Sequence, residues 1–322
     1  MNFKIDLVYL WCDGNDPELL NKRNSYLCHL GQALPNDNVG EQRYIEHNEL
    51  LYSLRSAFVN LPWINHIYIV TDNQRPRWLN DSDLITIVDH KTIIPANLLP
   101  TFNSFVIETY IDKIPGLSEH FIYTNDDVFF MSKLNPEDFF DQRGIPIVRF
   151  SKTQSRAKYE WVLNELKSEP KVFFSTLQKA WLLFCRKYKK QIDFDTIAHS
   201  ADSYTISAWR SALNKFPEIY QENVFPFRTY SEIQRLIISY EIVYGLGGKK
   251  IYINKPNFWN RMLSRICKRD IWVSCRKTLA KIVRDVNTCN PKTVCVNEID
   301  DIDTFTNFFS KKFPTPAPWE LE

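Results

Sequence analysis

The sequence predicts an α/β protein built on a layered sheet, and three observations carry that expectation. Short apolar, β-branched runs recur along the first part of the chain, each run ends in turn formers that include a carboxylate, and stretches of helical apolar spacing separate them. Ile5 to Trp11 reads as a buried strand feeding the turn cluster Cys12-Asp13-Gly14-Asn15-Asp16-Pro17. His66 to Val70 runs into Thr71-Asp72-Asn73, Leu84 to Val88 into Asp89-His90, and Phe121 to Tyr123 into Thr124-Asn125-Asp126-Asp127. Asn48 to Asn60 has helical spacing, with Leu50, Leu51, Leu54 and Phe58 on one side, and Thr101 to Ile114 is read as a second helix.

From about Phe150 the texture changes. Lys158 to Lys190 is rich in lysines and aromatics and reads as one or two amphipathic helices inserted between two halves. Asp195 to Gly248 returns to mixed helix, with the polar cluster His199-Ser200-Ala201-Asp202, the stretch FPFRTY at Phe225 to Tyr230, and a long helix from Ser231 that Gly245 to Gly248 stops. Asn260 to Asn287 is a basic helical region, and CVNEIDDID at Cys295 to Asp303 precedes a short proline-rich tail. The expected organisation is one composite catalytic domain: an α/β half over 1–150, a helical insertion over 151–195, and a second half with C-terminal helices over 196–322.

Composition narrows the function. With 44% hydrophobic and 24% charged residues over 322 positions, the chain can bury a large core, so general disorder is excluded. The 40 basic and 38 acidic side chains nearly cancel, so no global field draws the protein to nucleic acid, and phosphate binding has to be local. The N-terminal apolar run is too short and too polar for a signal peptide or a membrane span, which with seven unpaired-looking cysteines points to reduced thiols in the cytoplasm. Cys267, Cys275, Cys289 and Cys295 cluster, but not with zinc-ligand spacing. The sequence has no GxxxxGK[ST] loop, no strand-linked GxGxxG and no GxSxG elbow, which argues against common kinases, dinucleotide enzymes and serine hydrolases.

In open α/β sheets the ligand crevice lies outside the carboxyl ends of the strands, and here each apolar strand delivers a carboxylate to that edge. Turn preference alone also favours Asp and Asn at such places. Asp126 and Asp127, adjacent at a strand end, are oxygen ligands suited to a hard divalent cation bridging diphosphate oxygens; a solvated hairpin turn is the bland alternative. Asp13 and Asp16 bracket Gly14, in a loop able to hold a nucleotide's base and ribose or to set a carboxylate by the reacting hydroxyl. Arg55 borders the apolar face of its helix, where a guanidinium fork can meet a phosphate or simply lie on the surface. His199 suits proton abstraction from a hydroxyl and Arg228 the charge of a transferring phosphoryl group, although their spacing alone leaves structural roles open.

The segments IDLVYLWCDGNDP, NELLYSLRSAFVNLPWINHIYIVTDNQRPRWL, IVDHKTIIP, LPTFNSFVIETYIDKIPGLSEHFIYTNDDVFF and PEDFF, spanning most of residues 5 to 140, closely resemble the first two blocks of the Stealth family of sugar-1-phosphate transferases. That family includes bacterial capsule polysaccharide phosphotransferases and the eukaryotic N-acetylglucosamine-1-phosphotransferase. Later blocks are matched more thinly: His199, Arg228 in FPFRTYSEI, and CVNEID, where Glu298 replaces the usual aspartate; Cys12 replaces a usual valine. The resemblance implies a Rossmann-like or GT-A-like core and transfer of a sugar-1-phosphate from a nucleotide sugar, UDP-linked favoured, to an oligosaccharide or polysaccharide hydroxyl. It implies Mg2+ or Mn2+ held by Asp127 with Asn297 or Glu298, phosphate contacts from Arg55 and Arg228, and His199 as general base with Asp13 in reserve. Asp16, Asp72, Asn103, Asn125 and Asp126 are the expected substrate contacts. The rivals are a metal-dependent GT-A-type glycosyltransferase, which would break the anomeric bond instead, and a non-catalytic carbohydrate-binding relative. The basic helices between Asn260 and Val286 suggest peripheral association with the inner membrane face or a capsule machinery, a solvated or partner-packed face being the alternative.

Overall fold

The computed structural model describes residues 1–30, 46–154, 172–253, 272–273, 278–296, 299 and 301–321. Its centre is a five-stranded sheet. Strand β1 (Ile5–Leu10) leads into helix α1 (Pro17–Leu30); α2 (Glu49–Asn60) precedes β2 (Ile67–Thr71) and β3 (Ile85–Asp89); α3 (Ser104–Thr109) precedes β4 (His120–Asn125). β1 pairs in parallel with both β2 and β4, and β2 in parallel with β3, so the carboxyl ends of all four strands share one edge. The burial of Ile5 to Tyr9 and of Ile67 to Thr71 explains their continuous apolar character: strands covered on both faces have no solvent side to alternate with.

A short strand, β5 (Val128–Phe130), follows at once. Helix α2 completes its hydrogen bonding from the side: Ser53 Oγ donates to the Val128 carbonyl, Ser56 Oγ accepts from Phe130 N at 2.9 Å, and Asn60 Nδ2 donates to the Phe130 carbonyl at 2.6 Å. This corrects the helix face expected from the sequence. Leu50, Leu54 and Ala57 are buried together with these polar residues, whereas Phe58 is exposed, because the helix packs on a strand that needs donors and acceptors as well as apolar surface.

Beyond these lie β6 (Val148–Gln154), α4 (Val172–Tyr188), β7 (Phe194–Ile197), β8 (Asp202–Thr205), α5 (Ile206–Lys215), α6 (Leu236–Tyr240) and β9 (Lys250–Tyr252). β8 returns antiparallel to β4 and closes the main sheet, while β6 stands between β7 and β9 in a second, three-stranded sheet. Trp181 and Phe184 of α4, Tyr204 of β8 and Trp209 of α5 join Val8, Val70 and Phe121 in one apolar core. Near the C-terminus come β10 (Trp272–Val273), α7 (Leu279–Cys289), β11 (Thr293–Cys295) and α8 (Ile302–Lys312). β11 pairs antiparallel with β5 and parallel with β10, which brings Cys295 opposite Val128.

Two helices are shorter than their sequences suggest. Over Thr101 to Ile114 the α-helix is confined to Ser104–Thr109, with a 3-10 turn at Ile111–Lys113, and Asn103 caps it by accepting from Phe105 N. The helix expected from Ser231 begins at Leu236, because Glu232 is bent back to accept from Thr229 N instead of extending the helix. That helix passes into a π-turn at Glu241–Gly245, and Gly247, at φ +70, sits beyond its end. Of the amphipathic segment Lys158 to Lys190, α4 accounts for the described part; residues 158–171 lie outside the described residues, as does most of 260–277.

His90 opens a one-turn helix directly after β3. It is buried, and neither ring nitrogen has a hydrogen-bond partner. Burial pushes its pKa down to about 4, against an opposing pull from Asp72 and Asp89. The unfolded chain therefore binds this proton more readily, so stability is complete above about pH 6.5 and falls as pH drops toward about 4, by about 3 kcal/mol at most. Urea titrations across that window should show the loss in the wild type and a much flatter profile in His90→Leu; identical profiles would remove His90 from the account.

Candidate active site

The loops after β1 and β2 are laced together by one side chain. Gln74 Oε1 accepts from Asp13 N at 3.0 Å, and Gln74 Nε2 donates to the Asp13 carbonyl at 2.8 Å. The Asp13 carboxylate accepts from Asn15 N at 2.9 Å, a turn that shapes the loop around Gly14. Asp16 is the N-cap of α1, accepting from Glu18 N at 2.8 Å. Asp72 pairs with Lys22 of α1 at 2.6 Å, and Asp89 caps the one-turn helix through Lys91 N.

At the end of β4 the electrostatics are unusual. Asp126 is held well above the ordinary carboxylate range, first by burial and then by repulsion from Asp127, Glu49 and Glu46. Burial lifts Glu46 to about 7, with Glu49 and Asp13 adding to the shift, and Glu49 is raised mainly by burial. The Cys12 thiol is pushed up to about 12 by burial and by the fields of Asp126, Asp13, Glu46 and Asp72. These groups feel one another strongly, so the carboxyl edge of the sheet is a concentrated acidic site. Glu46 and Glu49 were not anticipated from sequence. Glu46 precedes α2 and Glu49 opens it, far in sequence from the strand ends, and only the return of α2 over β5 brings them to Asp126.

Asp127 adjoins the C-terminal part of the chain. Its carbonyl accepts from Val296 N at 2.8 Å, and its Oδ2 accepts from Cys295 Sγ at 3.3 Å. Asn297 and Glu298, the other expected metal ligands, lie outside the described residues. Carboxylate oxygens are the ligand type a hard cation takes, and Glu46 Oε1 is buried with no hydrogen-bond partner among the described residues. Among the described residues, however, no three His, Cys, Asp or Glu side chains converge on a point that could hold a metal ion.

The remaining expected residues divide. Arg228 Nη2 donates to Ser104 Oγ at 2.5 Å and its guanidinium lies 4.9 Å from the centre of the Phe105 ring. Asn103, expected to touch sugar or phosphate, is fully buried: its Nδ2 donates to Glu232 at 2.9 Å and to the carbonyls of Phe225 and Phe227, so it fastens the loop that carries Arg228 to the start of α3. Arg55, expected to contact phosphate, is engaged within the fold. Its Nε and Nη2 donate to Glu320, the latter at 2.5 Å, and Nη1 donates to the Phe313 carbonyl, which ties α2 to the C-terminal tail. His199 is exposed, its ring centre 5.6 Å from that of Phe173.

Residues 43–148 match Stealth protein CR2, conserved region 2, and residues 3–31 match Stealth protein CR1, conserved region 1. The chain carries Stealth conserved regions 1 and 2. The two Stealth regions supply β1 to β5 and with them the acidic edge just described. The chain is 48% identical over 147 residues to the capsular polysaccharide phosphotransferase LcbA of Neisseria meningitidis, covering 44% of this chain and 39% of the relative. It is 46% identical over 157 residues to an exopolysaccharide phosphotransferase of Streptomyces coelicolor, covering 48% and 26%. A capsular polysaccharide phosphotransferase of Haemophilus influenzae is 47% identical over 150 residues, covering 46% and 40%. The chain thus spans well under half the length of the relatives it matches. Among solved structures it is similar to the galactosyltransferase LgtC in complex with donor and acceptor sugar analogues, at 11% identity and a TM-score of 0.42 over 97% of both chains.

Proposed function

We propose that this protein transfers a sugar-1-phosphate from a nucleotide sugar, UDP-linked favoured, to a hydroxyl of an oligosaccharide or polysaccharide acceptor in surface polysaccharide synthesis. The observation that carries the proposal is the acidic edge formed by the two Stealth regions, seen together with relatives named as capsular and exopolysaccharide phosphotransferases. In this reading the acceptor hydroxyl attacks the sugar-bearing phosphorus, the bond to the nucleoside monophosphate breaks, and the anomeric centre is untouched. The product is a phosphodiester.

Such transfer depends on positioning and charge neutralisation. Mg2+ or Mn2+, when bound, would neutralise the diphosphate; Asp127 and Asp126 would hold it with Glu46 nearby and with Asn297 or Glu298. His199 takes the acceptor proton, with Asp13 in reserve, and Arg228 meets the transferring phosphoryl group. Asp16 and Asp72 shape the donor pocket through α1. Asn103 and Arg55 are assigned supporting roles here, Asn103 holding the Arg228 loop and Arg55 the C-terminal tail. We assign residues 1–150 to a nucleotide-sugar-binding half, 151–195 to a helical insertion and 196–322 to a second catalytic half. No helix among the described residues is long and apolar enough to cross a membrane; we place the protein at the cytoplasmic face, where donor nucleotides are found.

The test is to incubate the full chain with nucleotide sugars, oligosaccharide acceptors and Mg2+ or Mn2+, and to follow nucleoside monophosphate and diphosphate separately. Monophosphate release dependent on metal and acceptor is the expected result. Diphosphate release would replace the proposal with glycosyl transfer.

A further inference from the structure

A small cavity lies where α3, α5 and the start of α6 meet. Glu108 and Thr109 of α3, Trp209 of α5 and Arg235 are among its walls, and Leu213 and Ile238 add apolar surface. The space open to a water-sized molecule is about 10 Å³. Three of these side chains each carry a buried polar atom with no hydrogen-bond partner among the described residues: Glu108 Oε2, Trp209 Nε1 and Arg235 Nε. Other atoms of the two charged groups are committed. Glu108 Oε1 accepts from Tyr123 Oη at 3.0 Å, and Arg235 Nη1 donates to Asp202 and to Tyr204 Oη, each at 2.6 Å. Arg235 Nε lies 3.6 Å from Glu108 Oε1, beyond hydrogen-bond reach, so the ion pair leaves that N–H unsatisfied.

Hydrogen-bond chemistry selects what fills such a space. Guanidinium and indole N–H groups only donate, and a carboxylate oxygen only accepts. A water molecule accepts twice and donates twice, so it can take both N–H groups on its lone pairs and give one hydrogen to Glu108 Oε2. Thr109 Oγ1 donates to the Phe105 carbonyl at 2.8 Å and accepts from Asn223 Nδ2 at 3.0 Å, which leaves it one lone pair for the second hydrogen. Size points the same way, because a cavity needs roughly 10–15 Å³ to take one water and two to four polar partners to keep it. Charge removes the alternatives. Chloride would suit the two N–H groups but would meet the Glu108 carboxylate, and a sodium ion would suit that carboxylate but would meet the guanidinium.

We infer that this cavity is a binding site for one internal water, which bridges Glu108, Trp209 and Arg235 and completes the hydrogen bonding where α3, α5 and α6 meet. The water belongs to the fold and not to the reaction, so the inference is independent of the sugar-phosphate transfer reading. It bears on the site through α3, whose first residue, Ser104, accepts from Arg228. A neutral bridge lets Glu108 and Arg235 be satisfied without a direct bond between Nε and Oε2.

A crystal structure of the full chain at atomic resolution, from chloride-free buffer and again after a bromide soak, tests the assignment. The expected result is a single water peak within about 3.2 Å of Glu108 Oε2, Trp209 Nε1 and Arg235 Nε, with no anomalous signal from bromide. An unfilled cavity, or Arg235 Nε bonded directly to Glu108 Oε2, overturns the inference; a bromide peak in the cavity makes it an anion site and overturns it equally. In solution, oxygen-17 relaxation dispersion of water should count one fewer long-lived water in Glu108→Leu, which removes the acceptor and fills the space with methyl groups. Equal counts in variant and wild type overturn the inference. Should Glu108→Leu fail to fold, the wild-type crystal decides.

Discussion

Asp127→Ala is expected to lower metal-dependent release of nucleoside monophosphate by about 10^3-fold or more, the scale on which removal of a group that stabilises transferring charge acts. The structural reason is position. Asp127 stands between the end of the Stealth CR2 sheet and the β11 segment, touching Cys295 and bonded through its backbone to Val296. Folding should not suffer, because removing one member of a repelling carboxylate group relieves strain on Asp126. The thermal midpoint of the variant should therefore match or exceed that of the wild type, in the absence of metal. Retention of wild-type turnover would show that Asp127 is no ligand, and a large fall in thermal midpoint would show that its role is to hold β5 and β11 together.

Arg235→Met should cost about 3–5 kcal/mol of stability, the usual consequence of removing one partner from a buried ion pair. Asp202 and Glu108 would lose the cation they share, leaving Asp202 only the field of Arg149, in an interior where burial already raises the Asp202 pKa. The pH dependence follows from that direction. A carboxyl group whose folded-state pKa lies above its unfolded value favours folding at low pH, and this contribution is lost as pH rises through the folded value. The variant's deficit should therefore shrink on acidification. Urea denaturation at neutral and mildly acidic pH measures both effects. A cost below about 1 kcal/mol would mean that the pair contributes little.

The first half of the site was legible because its information is local. Four apolar runs each ending in Asp specify four strands with carboxylates at their ends, three of them buried and β3 a partly covered edge strand, and the parallel pairing of β1 to β4 places those ends on one side of the sheet. The same locality explains why the resemblance to the Stealth family could be recognised from residues 5 to 140. The buried Arg235 network was not legible. Asp202, Arg235, Glu108 and Tyr123 come from four separate segments, and nothing in their spacing distinguishes them from surface charges. Asn103 and Arg55 were read as ligand contacts because amide and guanidinium groups suit sugar and phosphate. Their actual partners, Glu232 and Glu320, lie more than a hundred residues away.

The sequence by itself determined the α/β class, the order of the first strands and the acidic character of their carboxyl ends, since apolar periodicity and turn chemistry act over a few residues. Only the tertiary structure decided which polar side chains are consumed inside the fold. Hydrogen bonds and ion pairs in a low-dielectric interior must be satisfied by whichever groups the packing brings together. That packing placed Glu46 and Glu49 beside Asp126, turned Asn103 inward, and set Tyr123 between Glu108 and Asn125.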